Sequence, residues 1–163
     1  MSIDLLRSVF SFTCMPFGKD LPPSALHRHR GHEEAVARIA YCIAERAIGV
    51  LTGECGSGKT VAARAALAGL EPSRHTTIYL GSPGVGLRGI YAGIVSGLGG
   101  TPRFHTASLV PQVAELIATE AAERAKTVVL VLDESHLLSA ETLEGLRCLR
   151  NDNMDAESLF SLI

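Results

Sequence analysis

Residues 53–60 read Gly-Glu-Cys-Gly-Ser-Gly-Lys-Thr, which fills every required position of the phosphate-binding loop G-x-x-x-x-G-K-T, the P-loop or Walker A motif. The apolar run 47–52 before it predicts a buried strand, and the Ala-rich, Pro-free run 61–70 after it predicts a helix. Between a strand and a helix, backbone N–H groups and the positive end of the helix point at the same anion. The stretch therefore predicts a site for a nucleoside triphosphate.

The predicted nucleotide contacts are nine consecutive residues: Gly53, Glu54, Cys55, Gly56, Ser57, Gly58, Lys59, Thr60 and Val61. The glycines let the backbone turn tightly and bring its N–H groups onto phosphate oxygens. Lys59 is expected to reach the β- and γ-phosphates as a catalytic charge, and the Thr60 hydroxyl to ligate Mg²⁺. Cys55 occupies a position that tolerates many residue types, so a redox role is the minor interpretation.

A second motif lies at the end of the apolar run 127–132, where Asp133 and Glu134 follow five Val and Leu residues. This is the Walker B pattern. It predicts that Asp133 holds Mg²⁺ and that Glu134 is the catalytic base that accepts a proton from the attacking water. Two neighbours leave alternatives open. His136 either couples nucleotide state to the next helix or is a hydrogen-bonded structural residue, and Ser82 either restrains Glu134 or caps a turn.

Further segments are predicted from periodicity and stop signals. Runs 76–80, 127–132 and 158–163 favour strands, and 151–153 favours a polar turn. Predicted helices are 33–46, 87–98, 108–124 with Pro111 in its first turn, and 139–150 with Ser139 as N-cap. The alternation of strands and helices indicates an α/β fold with a parallel, doubly wound sheet flanked by helices. The two motifs, with a strand and two helices between them, indicate that this is a P-loop NTPase sheet of the ASCE type.

Composition limits the classes that remain. The 163 residues are 47% hydrophobic and 20% charged, which is typical of one globular domain. A net charge of −2 provides no global basic field, so any DNA contact would come from a local patch. The four cysteines have no metal-site spacing. Neither a transmembrane run nor a signal peptide is recognisable, which predicts a cytoplasmic protein without a membrane partner.

The first 31 residues are interpreted as an N-terminal arm and lead-in, and residues 32–163 as the nucleotide-binding domain. Three of the five Phe residues fall within 1–19, which favours an arm that packs on the domain. The basic stretch 27–32 leaves three interpretations open: a DNA contact, a solvated lead-in to a helix, or a position beside the nucleotide base.

Four stretches together resemble the ExeA/TniB-like AAA+ ATPases: Phe-x-x-x-Pro-Phe at 12–17, His-Glu-Glu-Ala at 32–35, the P-loop at 53–60, and Leu-Asp-Glu-Ser-His-Leu-Leu at 132–138. The resemblance extends over nearly the whole chain. It implies an ATP- and Mg²⁺-dependent helper ATPase of bacterial DNA transposition, with ATP or ADP, DNA, a transposase and further copies of itself as partners.

The resemblance also implies parts that lie beyond Ile163: a sensor residue, a fifth strand, an arginine finger and a helical lid. We therefore expect an AAA+ domain that is truncated at its C-terminal end, exposes 48–51 at a sheet edge and hydrolyses ATP poorly. Two alternatives remain open. One is a non-catalytic module in which nucleotide binding orders a surface for a partner, and the other is a fragment of a type II secretion ATPase.

Overall fold

The computed structural model of the protein describes residues 3–12, 29–152 and 157–163. The first described element is helix α1 (Ile3–Phe10), in which no residue is buried, although the rings of Phe10 and Phe12 stack at 5.5 Å. The predicted arm from residue 13 to 28, including Phe17 and the first two residues of the basic stretch 27–32, lies outside the described residues. The described part of the arm therefore does not reproduce the predicted packing.

A three-stranded parallel sheet organises the domain, in the order β1 (His75–Leu80), β2 (Thr127–Leu132), β5 (Phe160–Leu162). β1 pairs with β2 along its whole length, from His75 opposite Thr127 to Leu80 opposite Leu132. Beyond β5, Ile48 forms an isolated parallel bridge with Leu162. The segment that enters the P-loop thus lies beside β5, and β2 lies inside the sheet.

Helices cover both faces of this sheet. Side chains of β2 alternate between the faces, as a strand requires. Val129 and Val131 pack with α2 (Arg30–Ala44) and α3 (Lys59–Ala68), whereas Val128 and Leu130 pack with α4 (Gly86–Gly97), α5 (Thr106–Arg124) and α6 (Ala140–Arg150). Burial on both sides explains why β2 is a continuous apolar run, and its predicted bounds are confirmed.

The N-terminal ends of two helices bear on the predictions. His29 Nδ1 accepts a hydrogen bond from His32 N at 3.3 Å and caps α2, so this part of the basic stretch is a helix lead-in. Ser139 Oγ accepts from Thr142 N at 3.2 Å, which confirms the predicted N-cap of α6. Pro111 is not in the first turn of α5 as predicted, because that helix begins at Thr106.

Three strand and turn predictions need correction. Residues 47–52 are not a strand, because their only sheet pairing is the bridge at Ile48; Val50 is 76% exposed at the edge of the described sheet. The predicted polar turn begins instead with the short strand β3 (Asn151–Asp152), which pairs antiparallel with β4 (Glu157–Ser158). The predicted strand 158–163 is consequently divided between β4 and β5, with Leu159 between them.

Candidate functional site

The P-loop connects the Ile48 segment to the first turn of α3. Gly56 and Gly58 have φ angles of 81° and 85°, in the left-handed region that glycine adopts without steric cost. Gly58 is also the N-cap of α3. At Gly53 a Cβ would lie 2.8 Å from Ser57 Oγ, so the Ser57 hydroxyl would have to turn away. The loop therefore requires glycine for its backbone conformation at Gly56 and Gly58, and at Gly53 the absence of a side chain leaves space for Ser57.

Lys59 folds back over the loop that precedes it. Its Nζ donates to the carbonyl oxygens of Gly53 at 3.0 Å and Glu54 at 2.9 Å. The loop is closed further by a bond from Ser57 N to Glu54 O at 3.2 Å. The ammonium charge is thus held at the mouth of the loop, near the N-terminus of α3. An anion that reached the loop would therefore be close to the Lys59 ammonium, the N-terminus of α3 and the backbone N–H groups of the glycine-rich loop.

Thr60 and Asp133 join the two predicted motifs. Thr60 Oγ1 donates to Asp133 Oδ2 at 2.9 Å, across 73 positions of sequence. Thr60 lies in the first turn of α3, and Asp133 directly follows β2, where its backbone N donates to Leu80 O at 3.1 Å. A hydroxyl and a carboxylate are hard oxygen donors of the kind that Mg²⁺ prefers. The residues present fit that cation.

Asp133 accepts two further hydrogen bonds. Tyr79 Oη donates to Oδ2 at 2.8 Å, and Glu134 N donates to Oδ1 at 2.9 Å. Burial alone would raise the pKa of Asp133, but the hydrogen bonds from Tyr79, Thr60 and Glu134 and the positive charge of Lys59 outweigh it and lower that pKa. Asp133 is therefore held as a carboxylate.

Glu134 has a backbone conformation that is uncommon for a residue with a Cβ, although Ser11, Arg46 and Ala125 share it. Its φ of 55° is left-handed for a residue with a Cβ, and such outliers cluster at functional sites. Its carboxylate is more than half exposed and lies 3.3 Å from His136 Nδ1. No hydrogen bond joins Glu134 to Ser82 among the described residues. The contact that the carboxylate makes is therefore with His136, which the sequence left open between two roles.

Tyr79 is the site residue that sequence reasoning missed. It is the penultimate residue of β1, opposite Val131 in the register, and its ring is half exposed. Burial makes the largest contribution to the raised pKa of Tyr79, and Asp133 raises that pKa further by accepting its hydrogen bond and through its charge. The available signal was the position of Tyr79 in the sequence. It lies one residue before the end of β1, and β1 pairs with β2, the strand that Asp133 directly follows.

Two other residues of the predicted nucleotide site lie in the P-loop and in α3. Cys55, in the loop, is exposed and is a free thiol, as are Cys42 and Cys148. Val61, in α3, is half-buried. Within 3–12, 29–152 and 157–163, no group of three or more His, Cys, Asp or Glu side chains is placed to hold a metal ion. The helices in these ranges include none with the length and apolar character of a membrane span.

A parallel sheet flanked by helices, with a glycine-rich loop leading into α3 and an acidic residue directly after the buried central strand β2, defines a P-loop NTPase fold. The model of the AAA domain family matches residues 43–163, and the chain belongs to that family. An AAA domain indicates an ATP-binding ATPase. Parallel comparisons with curated proteins and with solved structures gave no significant match.

Proposed function

We propose that this chain binds Mg²⁺ with ATP or ADP at the P-loop and hydrolyses ATP. The observation that carries the proposal is the 2.9 Å hydrogen bond between Thr60 and Asp133, because it brings the ends of two distant motifs to one point. Lys59 precedes Thr60, and its Nζ donates to two carbonyl oxygens of its own loop. When a nucleotide enters, the ammonium group would donate to phosphate oxygens.

Each residue has one role in this proposal. The N–H groups of 53–61 and the ammonium of Lys59 bind phosphate oxygens, and Thr60 and Asp133 hold the cation. Mg²⁺, when bound, offsets negative charge on the phosphates. Glu134 accepts a proton from the attacking water, for which its exposed carboxylate is accessible. The Glu134–His136 contact would have to open or turn for that transfer.

The binding step can be tested with calorimetry of ADP in the presence of Mg²⁺. Lys59→Ala should weaken ADP about ten- to a hundredfold, since a hydrogen bond to a charged group is worth about 1.5–3 kcal/mol. Lys126→Ala is the matched control. Lys126 directly precedes β2, at the end of that strand opposite Asp133, so its loss should leave the affinity unchanged. Equal affinity of Lys59→Ala and the unaltered chain would contradict the assignment of the P-loop.

We further propose that residues 32–163 act as the ATPase domain of a helper protein in DNA transposition, in the cytoplasm and as an assembly of several copies. Support comes from the resemblance of 12–17, 32–35 and 132–138 to the ExeA/TniB-like ATPases. The acidic net charge requires that DNA be contacted by a local patch. In a gel-shift experiment, the protein should therefore retard duplex DNA only at low salt, and more strongly with ATP than with ADP. No retardation in either nucleotide state would contradict the DNA-binding part.

A phosphate-release assay distinguishes the ATPase from a binding module. Tight Mg²⁺–ATP binding with no turnover, even at saturating ATP and with DNA present, would favour the nucleotide-gated interaction module. Measurable turnover that depends on Mg²⁺ would support the ATPase.

A further inference from the structure

We propose that Tyr79 is a positioning residue that holds the Asp133 carboxylate until Mg²⁺ and nucleotide displace its hydroxyl. This inference rests on the proposed Mg²⁺-nucleotide site. It starts from one oxygen atom, Asp133 Oδ2, which accepts from both Thr60 Oγ1 at 2.9 Å and Tyr79 Oη at 2.8 Å. A carboxylate oxygen has two lone-pair sites, so these two hydroxyls occupy Oδ2 fully.

The two hydroxyls differ in what they can do when a cation arrives. The Thr60 hydroxyl can keep donating its proton to Asp133 while its own lone pair faces the cation, because a hydroxyl is donor and acceptor at once. The Tyr79 hydroxyl is not beside the P-loop as the Thr60 hydroxyl is, because Tyr79 reaches Asp133 from the neighbouring strand β1. It occupies a lone pair of Oδ2, and its departure would open that site to the cation. Of the two donors to Oδ2, Tyr79 is therefore the one that we expect to leave.

The backbone next to Tyr79 is shaped for this contact. Gly81 has no side chain, and a Cβ placed there would lie 3.0 Å from Tyr79 Cε1 and 3.3 Å from its Oη. The ring thus passes over Gly81 on its way to Asp133. Gly81 does not have a positive φ, so its backbone alone does not demand glycine. Glycine at position 81 instead leaves space for the Tyr79 ring.

The ring has room to move because only its hydroxyl is held by a directional contact. The Tyr79 side chain is half exposed, and its hydrogen bond to Asp133 is also exposed. A swing into solvent would exchange that bond for bonds to water. Breaking the Tyr79–Asp133 hydrogen bond therefore costs little free energy, and we expect its effect on metal affinity to be moderate.

The expected sign follows from linkage. An interaction present only without the cation disfavours cation binding, so its removal should strengthen that binding. Tyr79→Phe keeps the ring and deletes the hydroxyl. At fixed ADP, the Mg²⁺ concentration for half-maximal ADP binding should fall about three- to tenfold, which is less than for a buried hydrogen bond to a charged group because this one is exposed. An unchanged or raised midpoint would overturn the inference.

Gly81→Ala provides a second variant that leaves Tyr79 in place. Its new methyl group would push the ring away from Asp133, so the Mg²⁺ midpoint should fall in the same direction as in Tyr79→Phe. Gly84→Ala is the control, since a Cβ at Gly84 would meet only Leu137 at 3.9 Å. Thermal unfolding of all three variants would verify that they fold. A midpoint that moved equally in Gly84→Ala would overturn the assignment to Tyr79.

Intrinsic fluorescence gives a readout that does not depend on affinity. The chain has no Trp and three Tyr, of which Tyr91 is buried and bonded to Gly145 O and Tyr41 is exposed on α2. A phenol bonded to a carboxylate emits weakly, because the excited phenol passes its proton to it. Mg²⁺ with ADP should therefore raise the emission of the unaltered chain but not of Tyr79→Phe. A rise of equal size in both would overturn the inference, whereas no Mg²⁺-dependent ADP binding at all would overturn the proposed function with it.

Discussion

Thr60 Oγ1 and Asp133 Oδ2 are 2.9 Å apart, although 73 residues separate them in the chain. The contact depends on two pieces of ordinary fold geometry. Thr60 lies in the first turn of α3, and Asp133 leaves the buried strand β2 at the same edge of the sheet. Ligands in parallel α/β sheets bind outside the carboxyl ends of the strands, and this pair lies at that edge.

Thr60→Ala should remove the advantage that Mg²⁺ gives to ADP binding. The hydroxyl is both the proposed cation ligand and the donor that holds Asp133, so the Mg²⁺-dependent gain in ADP affinity should shrink about tenfold or more, while metal-free ADP binding stays close to that of the unaltered chain. Calorimetry with Mg²⁺ and with EDTA measures both values. Thr60→Ser keeps the hydroxyl and is the control. A Mg²⁺ effect of full size in Thr60→Ala would contradict the proposed metal site.

Glu134→Gln should abolish ATP turnover and leave ATP binding nearly unchanged. The amide keeps the shape of the side chain but cannot accept the proton, and a general base contributes about 10²–10⁴-fold to a rate. Steady-state phosphate release measures the loss. Glu141→Gln, on an exposed carboxylate in the first turn of α6, is the control and should keep its turnover. If Glu134→Gln hydrolysed ATP as fast as the unaltered chain, the base would be another residue.

The sequence predicted the elements that short-range chemistry determines. The P-loop needs glycine at positive φ, and β2 needs an unbroken apolar run for burial on two faces, so both could be located from residue types alone. Edge pairing could not be predicted in this way. Whether 47–52 forms a strand depends on how many of its residues pair with an adjacent strand. Among the described residues, the one such pair is the bridge between Ile48 and Leu162.

The Tyr79–Asp133 contact was missed for a related reason. It joins two strands across the sheet and depends on the register that sets Tyr79 opposite Val131. No local pattern encodes that register, and Gly81, which makes room for the ring, looks in sequence like an ordinary turn residue. Contacts of this kind require coordinates.

Glu120→Ala should destabilise the fold at the end of the sheet remote from the site. Glu120 is 3% exposed, accepts from Thr76 Oγ1 at 2.8 Å and pairs with Arg124. Its loss leaves the partly buried Thr76 hydroxyl without that partner, which costs about 2 kcal/mol of unfolding free energy. Urea unfolding provides the measurement, and Glu123→Ala, an exposed residue on the same helix, should cost almost nothing. Equal stability of the two variants would show that the buried carboxylate contributes no net stabilisation.

Gly58→Ala isolates what the P-loop backbone contributes to stability. At a φ of 85°, a residue with a Cβ is strained, and the added methyl group would meet no atom within 4 Å, so the cost comes from the backbone alone. We expect a loss of about 1–2 kcal/mol in unfolding free energy. Gly69→Ala, at the other end of α3, is the matched control. Its φ is −84° and its Cβ would lie 3.4 Å from Ala66 O, an ordinary contact, so Ala should be neutral or stabilise by about 0.4–1 kcal/mol.

The two glycine variants are compared by urea unfolding without nucleotide, so that ligand binding does not add to either value. A clear difference between Gly58→Ala and Gly69→Ala in the stated direction would follow from their opposite φ signs, since both flank the same helix. If Gly58→Ala were as stable as the unaltered chain, the left-handed turn at the start of α3 would not be required in the free protein. The loop would then adopt that turn only around a bound phosphate, and the glycine requirement would have to be sought in nucleotide affinity instead.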